Sequence, residues 1–417
     1  MNRYLLGILC LCATQLVGCA AYEGVQSKPE LRLISRTDHL GQLAREPMLA
    51  VHPDGELFLA GFGSQVTARD WTAPPLLWRS DDSGKTWERL DVGDREENAQ
   101  GNSDVDLAMS SDGHLLFASM GFDRDTREGV QIHVGRSSDK GETWSWSQVS
   151  RTRFDDRPWI SVTPNQSVHL IWNDGAGVRH AVGDTTSDGL NERKRISESG
   201  GSSHFATRGD ALLAARIVPL SASANRFDAE TDLIAVSSDA GETWVFRDTP
   251  APIDWTFSEE ATPRWIEPIA WSDNDTLHYL WADKRKVFLA SSTDFGETWS
   301  IAVVSESDGK PFFPFLFSDG ANRLAATWFV QESDAISARV ALIEVQADNN
   351  PPLISSPVSF QPEIWEETPD EKTPSTGGEY LTTAFMDDGV IAVASPIQNT
   401  HEDRWGFSFW KFGVESD

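Results

Sequence analysis

Four copies of one eight-residue pattern, Ser-x-Asp-x-Gly-x-Thr-Trp, constrain the fold of this chain more than any other feature. Consecutive copies start about 55 residues apart, except for a gap of about twice that length between the second and third copies. A period of this size indicates one supersecondary unit that is repeated and that buries its apolar faces only by stacking on its neighbours. The four octets occupy residues 80–87, 137–144, 237–244 and 292–299.

Local chemistry predicts that each octet forms a tight turn between two strands. The Ser hydroxyl and the Asp carboxylate are able to hydrogen-bond nearby backbone amides, and the Gly supplies a positive φ. The Thr-Trp pair then re-enters a strand with a large ring to bury. We therefore expect the acid and the ring of each octet to have a structural role and no catalytic role. They are Asp82, Trp87, Asp139, Trp144, Asp239, Trp244, Asp294 and Trp299.

The octet is the Asp-box, and the chain resembles the bacterial Asp-box (BNR-repeat) propellers, which include the sialidases. The resemblance implies an all-β propeller of four-stranded blades with the boxes at the turns between the third and fourth strands. Three further units keep the apolar strands but have lost the full box, and they bring the count to seven. Six blades, the number typical of sialidases, would make the last two units an appendage, so we expect seven.

The two ends of the chain complete this organisation. The alternating run at 31–35 is able to supply the fourth strand of the last blade, which would close the ring. Residues 31–417 then form a single propeller, preceded by a linker at 19–30. The range 346–378 holds six prolines and little periodicity, and we interpret it as a long loop.

The N-terminus has the pattern of an export signal. Arg3 precedes a short apolar stretch, and the segment then reads Leu16-Val17-Gly18-Cys19, which is too short to span a bilayer as a helix. The segment is similar to a bacterial lipobox. That similarity implies a signal peptide at 1–18, lipidation of Cys19 and, with Ala20 following, attachment to the outer membrane, on its periplasmic or surface side. We expect the lipid to be the membrane attachment.

Charge and motif content narrow the range of partners. With 35 basic and 64 acidic residues the formal net charge is −29, which disfavours nucleic acid. No cofactor motif is present, no metal cluster is expected, and no acidic loop has a full calcium register, although a structural calcium stays open. We expect a monomer that binds a glycan or an envelope protein.

The starts of the innermost strands give the candidate site. In a propeller these positions converge around the axis, at the face opposite the octets, and here most of them carry ionisable side chains. The candidates are Arg45, Glu46, Asp104, Asp156, Arg157, His204, Glu267, Glu379 and Tyr380.

The resemblance to sialidases implies more specific roles. Arg45 and Pro47 match an element whose arginine grips the substrate carboxylate, and Asp70 stands where the family has its acid/base. Tyr380 is similar to the family's nucleophile, and Glu267 to the glutamate that activates it. Two further arginines are candidates for the rest of the carboxylate clamp: Arg285 resembles its second arginine and Arg323 its third.

The sequence also departs from that family. Glu46 replaces the apolar residue beside Arg45, and Gly61-Phe62-Gly63 stands where a Glu-x-Arg element is usual. A glutamate at that position repels an anionic sugar. We therefore expect a lipid-anchored binding or assembly module, with an exo-acting glycosidase of the sialidase type as the alternative.

Overall fold

A computed structural model describes residues 27–63, 70–187, 189–219, 231–251, 266–332, 336–347, 350–361, 378–399 and 404–414. They form seven antiparallel sheets, and the inner strand of each sheet contacts the inner strand of the next in cyclic order. The prediction of a seven-bladed all-β propeller is confirmed. The six-blade alternative is wrong, because the last two units are blades of the ring.

The first strand, β1 (Leu31–Leu40), belongs to the last blade, and the blades otherwise follow the chain. Blade one contains β2 (Arg45–Val51), β3 (Leu57–Phe62), β4 (Leu76–Ser80) and β5 (Glu88–Arg89). Blade two contains β6 (Ser103–Met109), β7 (Leu115–Asp123), β8 (Glu128–Ser137) and β9 (Ser145–Ser150). Blade three contains β10 (Asp155–Val162), β11 (Ser167–Asp174), β12 (Val178–Asp184) and β13 (Asn191–Glu192).

The remaining four blades repeat this order. Blade four contains β14 (Gly201–Arg208), β15 (Leu212–Val218), β16 (Leu233–Ser237) and β17 (Val245–Asp248). Blade five contains β18 (Ile269–Ser272), a 3-10 helix (Asp273–Asp275), β19 (Thr276–Asp283), β20 (Lys286–Ser292) and β21 (Ser300–Glu306). Blade six contains β22 (Lys310–Ser318), β23 (Arg323–Gln331), β24 (Ile336–Glu344), β25 (Leu353–Ile354) and β26 (Val358–Phe360). Blade seven contains β27 (Thr383–Phe385), β28 (Ile391–Asn399) and β29 (Arg404–Val414), with β1 paired to β29.

Position within a blade explains the composition of each strand. Second strands such as β3 are buried along their whole length, because a neighbouring blade covers each face, and they are accordingly continuous apolar runs. Outer strands such as β5 and β13 are short and exposed, which limits the free edge that each blade presents. The core therefore lies as wedges between adjacent blades.

Each octet connects the third and fourth strands of its blade, as the sequence predicts. The third strand ends on the octet Ser and the fourth begins directly after the octet Trp. The Ser hydroxyl donates to the Asp carboxylate and accepts from the Gly amide, both at 2.7–2.9 Å in all four copies. The same carboxylate accepts from the backbone amide and the hydroxyl of the octet Thr. The turn is thus held by its own side chains.

One part of the predicted 346–378 loop is sheet. The short strands β25 and β26 both pair with β24 and form the outer edge of blade six. Proline is tolerated next to an outer strand, because an edge strand forms backbone hydrogen bonds on one side only. The prolines of this range therefore gave no indication in the sequence that it contains strands. Residues 362–377 lie outside the described part of the chain.

Candidate functional site

Antiparallel connectivity divides the propeller into two faces. The inner strands begin at the same face as the turns between second and third strands, and we call it the funnel face. The turns between first and second strands lie with the octets at the opposite face, the octet face. The candidate residues at the inner-strand starts therefore share the funnel face.

A bulge within the first half of the inner strand in several blades sets the direction of these side chains. The β2–β3, β10–β11 and β22–β23 registers each shift across a segment that ends in a proline. The residue before that proline is left-handed in each case, at φ 44° for Glu46, 49° for Arg157 and 45° for Phe313. Non-glycine residues seldom adopt this conformation, and the extra residue of a bulge re-aims the chain near functional sites.

The centre of the funnel face holds four carboxyl groups from four blades, which we call the carboxyl cluster: Glu46, Asp104, Asp156 and Glu379. Glu46 and Asp104 are hydrogen-bonded to each other, and Asp104 also to Asp156, which requires shared protons. The Glu379 amide donates to Oε1 of Glu46 at 3.2 Å. Arg157 lies among them, with its Nη2 3.2 Å from Glu379 Oε2.

Burial and mutual repulsion keep protons in this cluster near neutral pH. Burial is the main cause that raises the pKa of Asp156 to about 7. Burial, and then the charge of Glu46, raises the pKa of Asp104 well above its usual range, and burial raises that of Glu46. Burial opposes the charge of Arg157, but Glu379 and Asp156 outweigh it and raise its pKa. The cluster therefore combines a permanent cation with carboxyls that titrate at unusually high pH.

An aromatic group lies beside the cluster and closes the axis. The Trp159 ring meets Tyr380 edge-on at 5.4 Å between centroids and His204 at 5.0 Å, and His204 meets Phe315 at 5.4 Å. Trp159 is in blade three and Tyr380 in blade seven, so their contact crosses the centre of the ring. Both side chains are only 3 % exposed. The buried rings of Trp159 and Tyr380 thus fill the centre of the propeller beside the carboxyl cluster.

The environment of Tyr380 raises the pKa of its hydroxyl. Burial is the main cause, followed by the negative charge of Asp104, and the pKa lies well above its usual value. An attacking phenolate needs a lowered pKa. This position accordingly favours a neutral phenol.

Glu267 occupies a second buried cluster, between blades four and five. Its carboxylate accepts from Arg216 Nη2 at 2.5 Å and from the Tyr279 hydroxyl, and Arg216 also donates to Asp232. Arg216 and Tyr279 are fully buried. The tyrosine found here with Glu267 is therefore Tyr279, a pairing that the sequence analysis did not predict.

The other sialidase-like candidates are dispersed. Asp70 is exposed and caps a turn through the Thr72 amide and hydroxyl, contacts that lower its pKa. Arg285 lies at the funnel face but is half exposed and paired with Asp308. Arg323 begins β23 at the octet face, where it binds Asp319. Arg45 lies beside the cluster, 5.7 Å from the Phe62 ring centroid.

The structure thus joins Asp104, Asp156, Arg157, His204, Glu379 and Tyr380 in one site, with Arg45 at its edge. Sequence reasoning did not assign Trp159 and Phe315 to the site. It placed Glu46 beside Arg45 at an inner-strand start but gave it no role other than opposing sialidase chemistry. The sequence did contain a signal for Trp159 and Phe315, because each directly follows the proline of an inner-strand bulge, in blades three and six.

The described residues include neither a metal-binding group of side chains nor a membrane-spanning helix. No group of three or more His, Cys, Asp or Glu side chains in the described ranges is placed to hold a metal ion. Among the same residues, no helix has the length and apolar character needed to cross a membrane.

Fold and site together define a seven-bladed β-propeller with an acidic and aromatic centre. No protein-family model matches the chain, and no curated protein does. Among solved structures it is similar to a protein of unknown function from Dyadobacter fermentans, at 13% identity and TM-score 0.49 over 93% of this chain and 100% of that chain.

The chain is also similar to two further solved structures. YCF48 from Cyanidioschyzon merolae matches at 12% identity and TM-score 0.49, over 92% of this chain and 98% of its own. The alpha-L-arabinofuranosidase of Fusarium graminearum, in complex with arabinobiose, matches at 12% identity and TM-score 0.47, with the same coverages. Similarity at this level assigns no activity, and function has to be argued from the site.

Proposed function

We propose that the protein is a lipid-anchored propeller of the bacterial cell envelope that binds a glycan or a protein at its funnel face. The observation that carries this proposal is the carboxyl cluster above a closed axis. The side chains of Asp156 and Glu379 are 24% and 27% exposed there, so a partner has charged groups to contact. Convergent polar groups beside aromatic rings are typical of a recognition surface.

Several features favour binding over sialidase catalysis. Tyr380 is surrounded by carboxyls and has a raised pKa, which opposes its use as a nucleophile. Asp70 has a lowered pKa and is ionised at neutral pH, whereas a general acid must hold a proton. The proposed carboxylate clamp is divided, because Arg323 lies at the octet face and Arg285 is paired with Asp308.

The proposed lipid anchor and the proposed outer-membrane location are supported by the sequence alone. Cys19 and the rest of the signal segment lie outside the described residues. The support is the similarity of Leu16-Val17-Gly18-Cys19 to a lipobox, which favours acylation of Cys19 and an outer-membrane location.

A second candidate function is a glycoside hydrolase that uses carboxyls of the cluster. Such enzymes pair a carboxylic acid of raised pKa with an ionised carboxylate. The high pKa of Asp156 and the Arg157-paired carboxylate of Glu379 supply one group of each kind. This chemistry suits a neutral sugar better than an anionic one, since the cluster is acidic.

Photo-crosslinking in cells tests the binding proposal. A photoreactive residue in place of Glu379 samples the funnel face, and one in place of Glu297, an exposed octet glutamate, is the matched control. We expect a discrete adduct, a glycan or one envelope protein, from position 379 only. Adducts from position 297 alone, or identical adducts from both positions, would contradict binding at the funnel face. Hydrolysis of a neutral chromogenic glycoside that Asp156→Asn abolishes would favour the second candidate.

A further inference from the structure

We propose that the edge of blade seven at the octet face rests on the phospholipid bilayer, so that the funnel face stays open to its ligand. The inference rests on the proposed lipid anchor and concerns a second surface of the molecule, far from the carboxyl cluster. We call this surface the blade-seven rim. It consists of Leu33, Ile34 and Val414, with Lys28 and Arg32 beside them.

Three apolar side chains of the blade-seven rim are exposed next to one another. Leu33, Ile34 and Val414 are 43%, 52% and 44% exposed. β1 and β29 are antiparallel with Leu31 opposite Val414, so all three lie at one end of the paired strands. Extended apolar patches on a surface mark sites of interaction, whereas apolar side chains that are scattered singly do not.

A β-bulge produces this arrangement. The register shifts between Leu33 and Ser35, so that Ile34 is an extra residue on β1. An extra residue interrupts the regular alternation of side chains between the two faces of a sheet. Ile34 extends over Gly413, where its Cδ1 lies 2.6 Å from the position that a Cβ would occupy. An exposed apolar edge of this kind promotes association unless another surface covers it.

The topology places the blade-seven rim at the octet face. β1 is the fourth strand of its blade, and fourth strands begin at the octet face, directly after the octet in the blades that have one. The third strand, β29, ends at the same face with Val414. A bilayer that covers the rim therefore contacts the end of blade seven that is opposite to the funnel face.

The length of chain before β1 selects the bilayer as the occupant. About twelve residues separate Cys19 from Leu31, and a chain of that length spans at most about 40 Å even when it is fully extended. Acylation of Cys19 would thus keep the start of β1 within this distance of the headgroups. Such a link raises the effective concentration of the bilayer at the rim. A second copy or a soluble protein has no corresponding link to this end of the molecule.

The charge distribution agrees with a bilayer contact. The whole chain has a formal net charge of −29, which repels anionic headgroups. Basic and acidic residues are equal in number at this end of β1 and β29, so the rim is the part that a phospholipid surface repels less. These residues are Lys28, Glu30, Arg32, Lys411, Glu415 and Asp417, of which the last two lie outside the described residues.

The docking depends on the anchor. A patch of three side chains binds a bilayer weakly by itself, and stable attachment combines it with a covalent lipid. The stems of Lys28 and Arg32 add apolar contact while their charged ends stay beside the phosphates. Protein with Cys19→Ser is therefore still expected in the soluble fraction.

Iodide quenching of a fluorescent label tests the docking. The full chain is reconstituted into vesicles of phosphatidylethanolamine with a minor share of phosphatidylglycerol. Cys10 and Cys12 belong to the proposed signal peptide and the lipid blocks Cys19, so one introduced cysteine carries the label. Ile34→Cys reports on the rim, and Ile301→Cys is the matched control, an isoleucine that is 53% exposed on the outer strand of blade five. We expect a quenching constant at least about threefold smaller at position 34, because aqueous iodide does not enter the acyl boundary.

A second substitution connects the shielding to the blade-seven rim. In the protein labelled at position 34, we expect Leu33→Ser to raise the quenching constant at least about twofold, since it removes apolar contact with the bilayer. Val303→Ser on β21, at a valine that is 47% exposed, is the control that should leave it unchanged. Melting midpoints show that each variant is folded, and Val414→Ser decides if Leu33→Ser does not fold.

Vesicle flotation of the same samples separates the docking from the anchor. Protein that floats with the vesicles but is quenched equally at positions 34 and 301 would overturn the inference and leave the anchor in place. Protein that does not float would overturn both. Shielding that Leu33→Ser leaves unchanged would also overturn the inference. Shielding of position 34 in Cys19→Ser protein without vesicles would do so as well, because a second copy would then cover the rim.

Discussion

At the scale of single residues, the propeller buries charge in two clusters that are balanced in different ways. The carboxyl cluster is balanced partly by shared protons, and burial raises the pKa of Asp104 and Asp156. The cluster around Arg216 is balanced by ion pairs with Asp232 and Glu267. The first arrangement responds to pH near neutrality. The second holds blades four and five together.

The Arg216 cluster gives a prediction for stability. Arg216→Met leaves Glu267 and Asp232 buried without their cation, and loss of one partner of a buried pair typically costs about 3–5 kcal/mol. Urea unfolding monitored by tryptophan fluorescence measures the change. Arg285→Met is the matched control, because that arginine is half exposed, and we expect almost no effect. Equal midpoints for the two variants would contradict the assigned role of Arg216.

The sequence predicted which positions reach the centre but not which of them touch. Inner-strand starts are visible as X-Pro or acidic residues before an apolar run, so Asp104, Asp156 and Glu379 were identified. The contacts Arg157–Glu379 and Trp159–Tyr380 join residues from blades three and seven. Such contacts depend on ring size and on the left-handed residue before each bulge proline, and neither can be calculated from local pattern.

At the scale of elements, the octet stabilises contacts between blades as well as its own turn. Its glycine lies against the preceding blade, and a Cβ added at Gly84 or Gly241 would overlap Phe409 or His180. Trp87 meets Phe407 and Phe409 of blade seven edge-on at 5.4 and 5.2 Å. The same octet glycines have φ near 82°, so both space and conformation require glycine.

Octet variants should therefore lower stability and spare ligand binding. We expect Trp87→Ala to cost about 3–5 kcal/mol, as is typical for truncation of a buried tryptophan. Asp139→Ala and Trp144→Ala should destabilise in the same direction through the second octet. Thermal unfolding measures the loss, and crosslinking from position 379 measures binding. An octet variant with an unchanged melting midpoint but no crosslink would contradict the separation of the two faces.

The elements themselves were largely predictable because the octets fix their spacing. The end of each third strand and the start of each fourth follow from the position of the octet. Prediction failed where the repeat had no octet, as in blade six, whose outer strands β25 and β26 lie in a proline-rich range. Short edge strands have weak local patterns, and their pairing is decided by the neighbouring strand.

At the scale of the whole molecule, strands from both ends of the chain close the ring. β1 forms nine residue pairs along β29, from Leu31 opposite Val414 to Leu40 opposite Gly406, with one register shift between Leu33 and Ser35. We expect deletion of 31–40 to lower the melting midpoint and to promote association, since it exposes β29 as a long edge. Ile34→Ala, at a half-exposed position of β1, is the control that should change little.

Adding the deleted strand back as a separate peptide tests directly whether β1 closes the ring. A synthetic peptide of residues 31–40 should bind the truncated protein and restore its midpoint, because the site on β29 is otherwise complete. A truncated protein that melts like the full chain would show that β1 does not contribute to closure.

The anchor belongs to the same scale. We expect Cys19→Ser to move the protein from the membrane fraction to the soluble fraction, because the substitution removes the thiol that the lipid would modify. Fractionation followed by immunoblotting measures this, with Cys12→Ser as the control that should stay membrane-bound. Unchanged membrane retention of Cys19→Ser would contradict lipid anchoring.

The central claim is that the acidic funnel face binds a ligand and does not cleave sialosides. Release of a chromophore from a sialoside by the purified protein tests it most directly. We predict no turnover above background for the wild type, because the carboxyl cluster repels an anionic sugar and the pKa of Tyr380 is raised. Robust turnover that disappears in Tyr380→Phe, with the fold intact, would contradict the claim and establish Tyr380 as a nucleophile.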